Sequence, residues 1–397
     1  MKTVMTNKQW AAKYPQVGTG PVAAETCVSP AYFERERELI FRRAWVNVGR
    51  VDEVERPGQY FVRELAVCRT SIIVMRGKDG VVRGFHNVCS HRGNKLVWHE
   101  RGTCGGGLSC GFHSWTFDTQ GKLAWVPDEE NFFDLKKGEL GLTPVHTDVW
   151  EGFIFVHLDP NPKETLIDYL GGVAKQLTGT PFGQMSRLRT YKVEERANWK
   201  VGLDAQNEIY HLPFQHRYTF PDSLVMKDNT YARLCNVNLY NHHSVWSCEY
   251  NPGHKMAPVE ALLNRLDSSN DPIKFPHMIG DFDFFVIFPN MVILLFTGPG
   301  SDFFMTYNFW PLAVDRSIWE IRFHYPKAEN AAQRLAQEYS MLRLRDTLME
   351  DAIAHESVQT GLTTRAKTQL WFQDDEITIR YFHKVVEEFA GAPALVA

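Results

Sequence analysis

Two short segments carry thiols and imidazoles at spacings suited to a metal group: Cys89-Ser-His91-Arg-Gly93 and Cys110-Gly-Phe-His113-Ser-Trp115. They read as C-x-H and C-x-x-H, separated by residues 92–109. Structural zinc takes two Cys and two His, but usually as Cys-x2–4-Cys and His-x3–5-His pairs. Here each pair mixes one Cys with one His. That suits a [2Fe–2S] cluster in which Cys89 and Cys110 supply one iron and His91 and His113 the other. Imidazole brings less negative charge than thiolate, so reduction becomes easier. Cys104 shares the second Gly-rich loop, but position 107, where its paired His would fall, is Gly107. Cys27, Cys68, Cys235 and Cys248 have no such partner and read as packing residues.

A second concentration of ligand types runs from Asn198 to His216. Asp204, Glu208 and His211 follow one another by four and three residues, which predicts a shared helix face. Pro213 is expected to disrupt that helix and turn the chain back, so that His211 and His216 reach one ion. Two histidines and a carboxylate with open positions opposite form the facial triad of oxygen-activating non-haem Fe(II) enzymes. Spacing alone does not choose the carboxylate. The segment Asp346–Glu356 offers several, Glu350 and Asp351 among them, and any of them fits a solvated face equally well.

The elements that must position these groups can be read from the remaining pattern. The chain has 397 residues, enough for two or three domains. Ser29-Pro30 opens a helix, with Ser at the N-cap and Pro at the first turn. From Val46 to about Leu158, β-branched runs alternate with Gly-rich turns, which predicts a small all-β domain. Asp159-Pro-Asn-Pro162 reads as a linker. Beyond it, strands are expected over Tyr231–Tyr240, in the two halves of Phe284–Phe296 and over Phe304–Leu312. Ser317–Tyr325 alternates, with Trp319, Phe323 and Tyr325 on one face and Glu320, Arg322 and His324 on the other. Helices follow over about 331–359 and 375–389. The fold class is α+β: a small all-β domain and a larger α+β domain with an antiparallel, helix-flanked sheet of helix-grip type. The expected boundaries are 1–45, a segment packing on the larger domain, then 46–160 and 161–397.

With both constellations in place, the chain resembles the α (large, catalytic) subunit of the Rieske non-haem iron oxygenases, the aromatic-ring-hydroxylating dioxygenase family. The likeness extends over essentially the whole chain. It implies one Rieske [2Fe–2S] cluster on Cys89, His91, Cys110 and His113, and a mononuclear Fe(II) on His211, His216 and Asp351. Asp351 is the match because Glu350-Asp351 precedes Gln359-Thr-Gly-Leu362, as in the family. It further implies that Glu208, often Asp in relatives, bridges electron transfer across a subunit boundary. Asp204 falls where relatives carry a group near the iron. The family's E-N-F is replaced by Asp204-Ala-Gln206, so finer pocket detail does not transfer. A homotrimer is implied, with or without β subunits.

Gly18-Thr-Gly20-Pro-Val-Ala23 matches G-x-G-x-x-A formally but lacks a preceding strand and a βαβ pattern, so it reads as a loop. Electrons must therefore come from a separate NAD(P)H-dependent reductase, with or without a ferredoxin. The apolar strands around Phe284–Trp310 favour a hydrophobic, aromatic substrate and dioxygenation, as in aromatic hydrocarbon catabolism. The alternative is a monooxygenase hydroxylating or demethylating an N-methylated or quaternary ammonium compound, whose cation aromatic faces would bind. A Rieske electron carrier is disfavoured, because it has no use for His211, His216 and Asp351. Forty-three Lys+Arg against 47 Asp+Glu, a formal net charge of −4, argues against a nucleic-acid surface. Pro289-Asn290 cuts the most apolar stretch, so no membrane span is expected. The N-terminal residues lack the apolar run of a secretory signal, and seven scattered cysteines fit a reducing cytoplasm.

Overall fold

The computed structural model describes residues 8–220, 222–267, 269 and 271–393. The chain forms two compact units, one of residues 41–168 and one combining the segment before it with residues from Tyr169 onward. The divisions fall at 40/41 and 168/169, where the sequence reading put them at 45/46 and 160/161.

In the unit of residues 41–168, seven strands form an antiparallel sheet in the order Val46–Arg50, Phe153–His157, Pro144–Trp150, Val82–His86, Thr70–Arg76, Gln59–Leu65, Arg101–Thr103. Three short strands, Gly107–Ser109, Thr116–Asp118 and Leu123–Trp125, form a second sheet. Ile73, Met75, Phe85, Leu108, Trp115 and Phe117 share a core with Cys89 and Cys110. The first Cys-His loop follows the strand Val82–His86; the second links Gly107–Ser109 to Thr116–Asp118. A Cβ at Gly107 would sit 2.3 Å from the Phe117 carbonyl oxygen, which explains the small residue there and excludes a ligand at that position.

The other unit is built on seven antiparallel strands in the order Met185–Glu195, Arg316–Pro326, Phe303–Ala313, Met291–Phe296, Phe282–Ile287, His243–Cys248, Asn236–Tyr240. The apolar stretch broken by Pro289-Asn290 folds as a hairpin, pairing Ile287 with Met291 and Phe282 with Phe296. The last strand begins at Asn236 rather than Tyr231. Helices Trp199–Ala205 and Ala331–Thr363 pack on this sheet and on each other, and Ile377–Ala390 packs on its far end. Gly202 permits the close approach: a Cβ there would lie 2.4 Å from the Phe309 ring. Trp319 and Phe309 stack at 5.3 Å beneath the ring of His355 on the long helix. The opposite face of Arg316–Pro326 is also buried. There Glu320 and Arg322 pair at 2.7 Å, and His324 stacks on Phe304. Among the described residues, no helix is long and apolar enough to cross a membrane.

Ser29 caps the helix Pro30–Glu36, its hydroxyl accepting from the Tyr32 N–H. That helix delivers Glu36 into the larger unit. Its carboxylate meets the Lys200 ammonium at 2.5 Å, with both side chains 0% exposed, and accepts from the Trp199 indole at 3.0 Å. The Asn198 amide oxygen adds a second contact to Lys200 at 2.9 Å. A buried pair so bonded is costly to break from one side, because the remaining charge stays desolvated. Lys200→Met is therefore expected to destabilise this unit by about 3–5 kcal/mol, read as a lower urea midpoint. An unchanged midpoint would show the pair to be dispensable.

Candidate metal centres

The two Cys-His loops have the same local geometry. In each, an N–H four residues on returns to the cysteine carbonyl: Gly93 to Cys89 at 3.0 Å and Ser114 to Cys110 at 2.8 Å. In each, that fifth residue has positive φ, 74° at Gly93 and 58° at Ser114. Such a tight turn needs a residue tolerant of the left-handed region, which Gly93 supplies without strain. Cys89 and Cys110 are buried, while His91 and His113 stand half-buried at the rim with ring centroids 4.7 Å apart. Trp115 stacks on His91 at 4.8 Å.

The electrostatics fit a cluster. Burial raises the Cys89 thiol. Burial acts the same way on Cys110, but backbone N–H groups of Phe112 and His113 and the Asn94 amide, 3.5 Å from the sulfur, hold it below the ordinary thiol value. Those donors favour the thiolate that a metal needs. His91 Nδ1 is buried without a hydrogen-bond partner, a ring nitrogen placed for a ligand the protein itself does not supply. Cys104 lies apart, its thiol on the Gly58 carbonyl at 3.3 Å.

In the larger unit, His211, His216 and Asp351 each offer a ligand atom within 4.8 Å of the others. His216 Nε2 lies 2.9 Å from Asp351 Oδ1, and His211 Nε2 lies 3.7 Å from the same oxygen. Each ring is held from behind. His211 Nδ1 bonds Glu208, whose carboxylate also accepts the His211 backbone N–H at 3.1 Å. His216 Nδ1 bonds Glu350 at 2.7 Å. A carboxylate on Nδ1–H fixes the tautomer and leaves Nε2 free for a metal. Asp351 is steadied by the Gln206 and Gln215 amides at 2.8 and 2.6 Å.

The shifts at these groups show what the site wants. Burial disfavours the charged form of His211, yet the Glu208 and Asp351 carboxylates outweigh it and raise the ring to about 9. His216 is likewise raised: Asp351 and Glu350 overcome the cost of burial. Asp351 is lowered; burial pushes it up, but the two imidazoles prevail. Three carboxylates against two imidazoles leave a site that favours a cation, and a metal ion would take the place of the shared protons. The donor set fits a mononuclear iron.

The structure departs from the sequence reading in this segment. The helix ends at Ala205 instead of running through His211, so Asp204 does not share a face with Glu208 and His211. The Asn207 carbonyl accepts from Thr378 at 2.7 Å, which draws the chain toward the C-terminal helix. Asp204 bonds His383 at 2.8 Å rather than any of the three grouped residues. Its expected place on one helix face with Glu208 and His211 is corrected accordingly. Pro213 does not end a helix but sits at the start of the single turn Leu212–Gln215, where its missing N–H costs nothing. That turn brings the two imidazoles to 5.1 Å between centroids.

Three residues of the site escaped the sequence reading. Gln206 and Gln215 belong to no spacing pattern. Glu350 had a signal: adjacent helical residues project about 100° apart, so Glu350 and Asp351 straddle the His216 ring and take opposite nitrogens.

Comparisons with known proteins agree with this architecture. Residues 44–144 match the model of the Rieske [2Fe–2S] domain, and residues 182–392, more than half of the chain, match that of the ring hydroxylating alpha subunit (catalytic domain). A Rieske unit joined to such a catalytic unit defines a Rieske non-haem iron oxygenase. The chain belongs to the ring-hydroxylating α-subunit family. Its cofactors are a Rieske [2Fe–2S] cluster and a mononuclear iron, and this family draws electrons from a separate reductase and assembles as multimers. The carnitine monooxygenase oxygenase subunit of Acinetobacter baumannii is 28% identical over 345 residues, 85% of this chain and 84% of that protein. The chloroplastic choline monooxygenase of Spinacia oleracea is 25% identical over 366 residues, 89% of this chain and 74% of that one. Naphthalene 1,2-dioxygenase from Rhodococcus sp. bound to indole shares the fold, with a TM-score of 0.76 at 23% identity over 94% of each chain. The two sequence relatives are named monooxygenases, so the expected preference for dioxygenation and aromatic hydrocarbons finds no support in them.

Asp351→Asn is expected to lose one iron per chain while the iron–sulfur absorbance persists, as iron analysis and visible spectroscopy would show. Undiminished iron would move the carboxylate ligand elsewhere.

Proposed function

We propose that this chain is the oxygenase subunit of a Rieske monooxygenase that inserts one oxygen atom into a C–H bond of an organic ammonium compound. The balance is R–H + O2 + 2 e− + 2 H+ → R–OH + H2O, with both electrons from a separate NAD(P)H-dependent reductase. The observation that carries the reading is the similarity, over 85% of the chain, to a carnitine monooxygenase oxygenase subunit. The choline monooxygenase likeness supports the same substrate class.

In this reading Cys89, His91, Cys110 and His113 hold the cluster, and His211, His216 and Asp351 hold the iron. The two groups supply, respectively, single electrons and a site for O2. The protein does the positioning. Glu208 and Glu350 keep the Nδ1 protons and aim Nε2 of each ring at the metal position. Gln206 and Gln215 keep Asp351 in place. A cavity of about 90 Å³ beside the three ligands is walled by Trp246, Phe282, Phe284, Leu294 and Tyr307, which exclude water from the reacting centre. Glu208 is 8% exposed and bonded to His211; in a trimer it would bridge that ligand to a neighbouring subunit's cluster.

A second reading, hydroxylation of an arene, has one observation in its favour. Among the described residues, the only carboxylates lining that cavity, Glu208 and Asp351, are engaged by the imidazoles. A single exposure of reduced holoenzyme to ¹⁸O2 with a pooled panel of ammonium compounds and arenes separates the two. One labelled oxygen in an ammonium compound, or a carbon group released as labelled aldehyde, is the expected result. Two labelled oxygens on a ring would establish the arene reading instead. Glu208→Ala is expected to keep both metal loads and lose at least most reductase-driven turnover; full turnover would refute the bridge.

A further inference from the structure

A second cavity, of about 340 Å³, adjoins the one beside the metal ligands; Phe220, Tyr250, Phe296 and Leu344 line both. One wall of the outer cavity is aromatic. Phe296, Phe303 and Tyr325 stack as a column, with centroids 4.7 and 4.5 Å apart and planes within 4° and 11°. Tyr250 stands where the cavities meet, its hydroxyl bonded to Thr297.

The remaining wall carries charge, and most of it is internally paired. Arg343 forms an ion pair with Glu260 and lies 5.3 Å from the centre of the Phe220 ring. His254 is held by Asp222 at 2.8 Å and faces Glu260 at 3.7 Å. Asp267 differs. Its carboxylate accepts from the Gly300 backbone N–H, and no cationic side chain among the described residues is within ion-pair distance. Burial raises it only to about 6, so it carries its charge at neutral pH. A partly buried carboxylate with no counter-ion is an unfavourable arrangement that a cationic ligand relieves. A free aromatic face next to such a carboxylate recognises quaternary ammonium in particular, since the ring quadrupole attracts a weakly hydrated cation. In the column Phe296 and Phe303 have ring neighbours on both sides, which leaves the end ring, Tyr325, together with Tyr250.

We propose that the outer cavity binds the ammonium group of the substrate, with Asp267 as its counter-charge and Tyr250 and Tyr325 as its aromatic faces. The carbon chain then passes Phe220 and Leu344 into the inner cavity, and the C–H bond oxidised there lies on the chain, away from the nitrogen. This rests on the ammonium-oxidising reading above and adds to it the seat of the cation and the position of attack.

The test is calorimetric titration of anaerobic holoenzyme with ω-hydroxyalkyltrimethylammonium ions of two to six chain carbons, and with the neutral alcohols that carry carbon in place of nitrogen. Wild type is expected to prefer the cation by about tenfold or more. Asp267→Asn keeps an acceptor for the Gly300 N–H and removes the charge. It is expected to erase the preference, leave the neutral alcohols unaffected and keep the melting temperature, and Asp267→Glu should restore part of it. Equal cation binding by wild type and Asp267→Asn overturns the site. The ¹⁸O2 reaction with the same ions separates the two proposals. Ions bound through Asp267 yet never oxidised leave the cation seat standing and refute the functional reading. Ions oxidised equally well, with the same KM, by Asp267→Asn uphold the function and overturn the seat, as does oxidation confined to the N-methyl groups.

Discussion

The larger unit is organised around a carboxylate that cannot stand alone. Asp351 is 3% exposed, and a buried anion without partners would cost several kcal/mol. Two imidazoles and two side-chain amides converge on it, and each imidazole is in turn gripped by another carboxylate. Such a network is worth having only if every member is satisfied. That requirement accounts for the irregular path between Ala205 and Leu212. A regular helix there would satisfy the backbone but point Gln206, Glu208 and His211 in directions set by the helix, not by Asp351.

The partners come from segments far apart in sequence, so something must fix the register between them. The long helix does this with consecutive turns on one face. His355 bonds Glu195 at 3.1 Å, Glu356 accepts the Arg196 N–H at 3.0 Å, and Gln359 accepts the Asn198 N–H at 2.9 Å. These contacts lock the sheet strand Met185–Glu195 and the start of helix Trp199–Ala205 to the helix that carries Glu350 and Asp351. Gln359, the first residue of the Q-x-G-L stretch, is thus an anchor of the site rather than part of its chemistry. Glu36 and Lys200 bolt the N-terminal helix to the same place.

The iron–sulfur unit solves a different problem with a repeated device. Two loops of matching hydrogen bonding and matching positive φ carry one Cys and one His each. The thiols sit within the hydrophobic core and the imidazoles at its rim. Thiolate charge is thereby stabilised by backbone N–H groups away from water, while the imidazole side stays open to electron exchange.

Local pattern alone was enough for much of this protein. The spacing of Cys89, His91, Cys110 and His113 named the cluster, because two tight loops allow few other geometries. The Pro289-Asn290 break divided the apolar stretch into two strands, and the alternation of Ser317–Tyr325 separated Trp319 from Glu320, Arg322 and His324. That the two strands pair as a hairpin and that Trp319 faces the long helix came from the fold. What local pattern missed depends on partners distant in the chain. The helix projected through Asp204, Glu208 and His211 ends early because Thr378 and His383, some 170 to 180 residues later, take the Asn207 carbonyl and the Asp204 carboxylate. Glu320, Arg322 and His324 alternate like a solvent face, yet they are buried and bonded among themselves and their neighbours. The grips of the two glutamines have no periodic signature at all. Spacing in sequence reports only what neighbouring residues do to one another. Which buried charge meets which partner is decided by the folded chain, where leaving either unpaired would cost more than bending a helix.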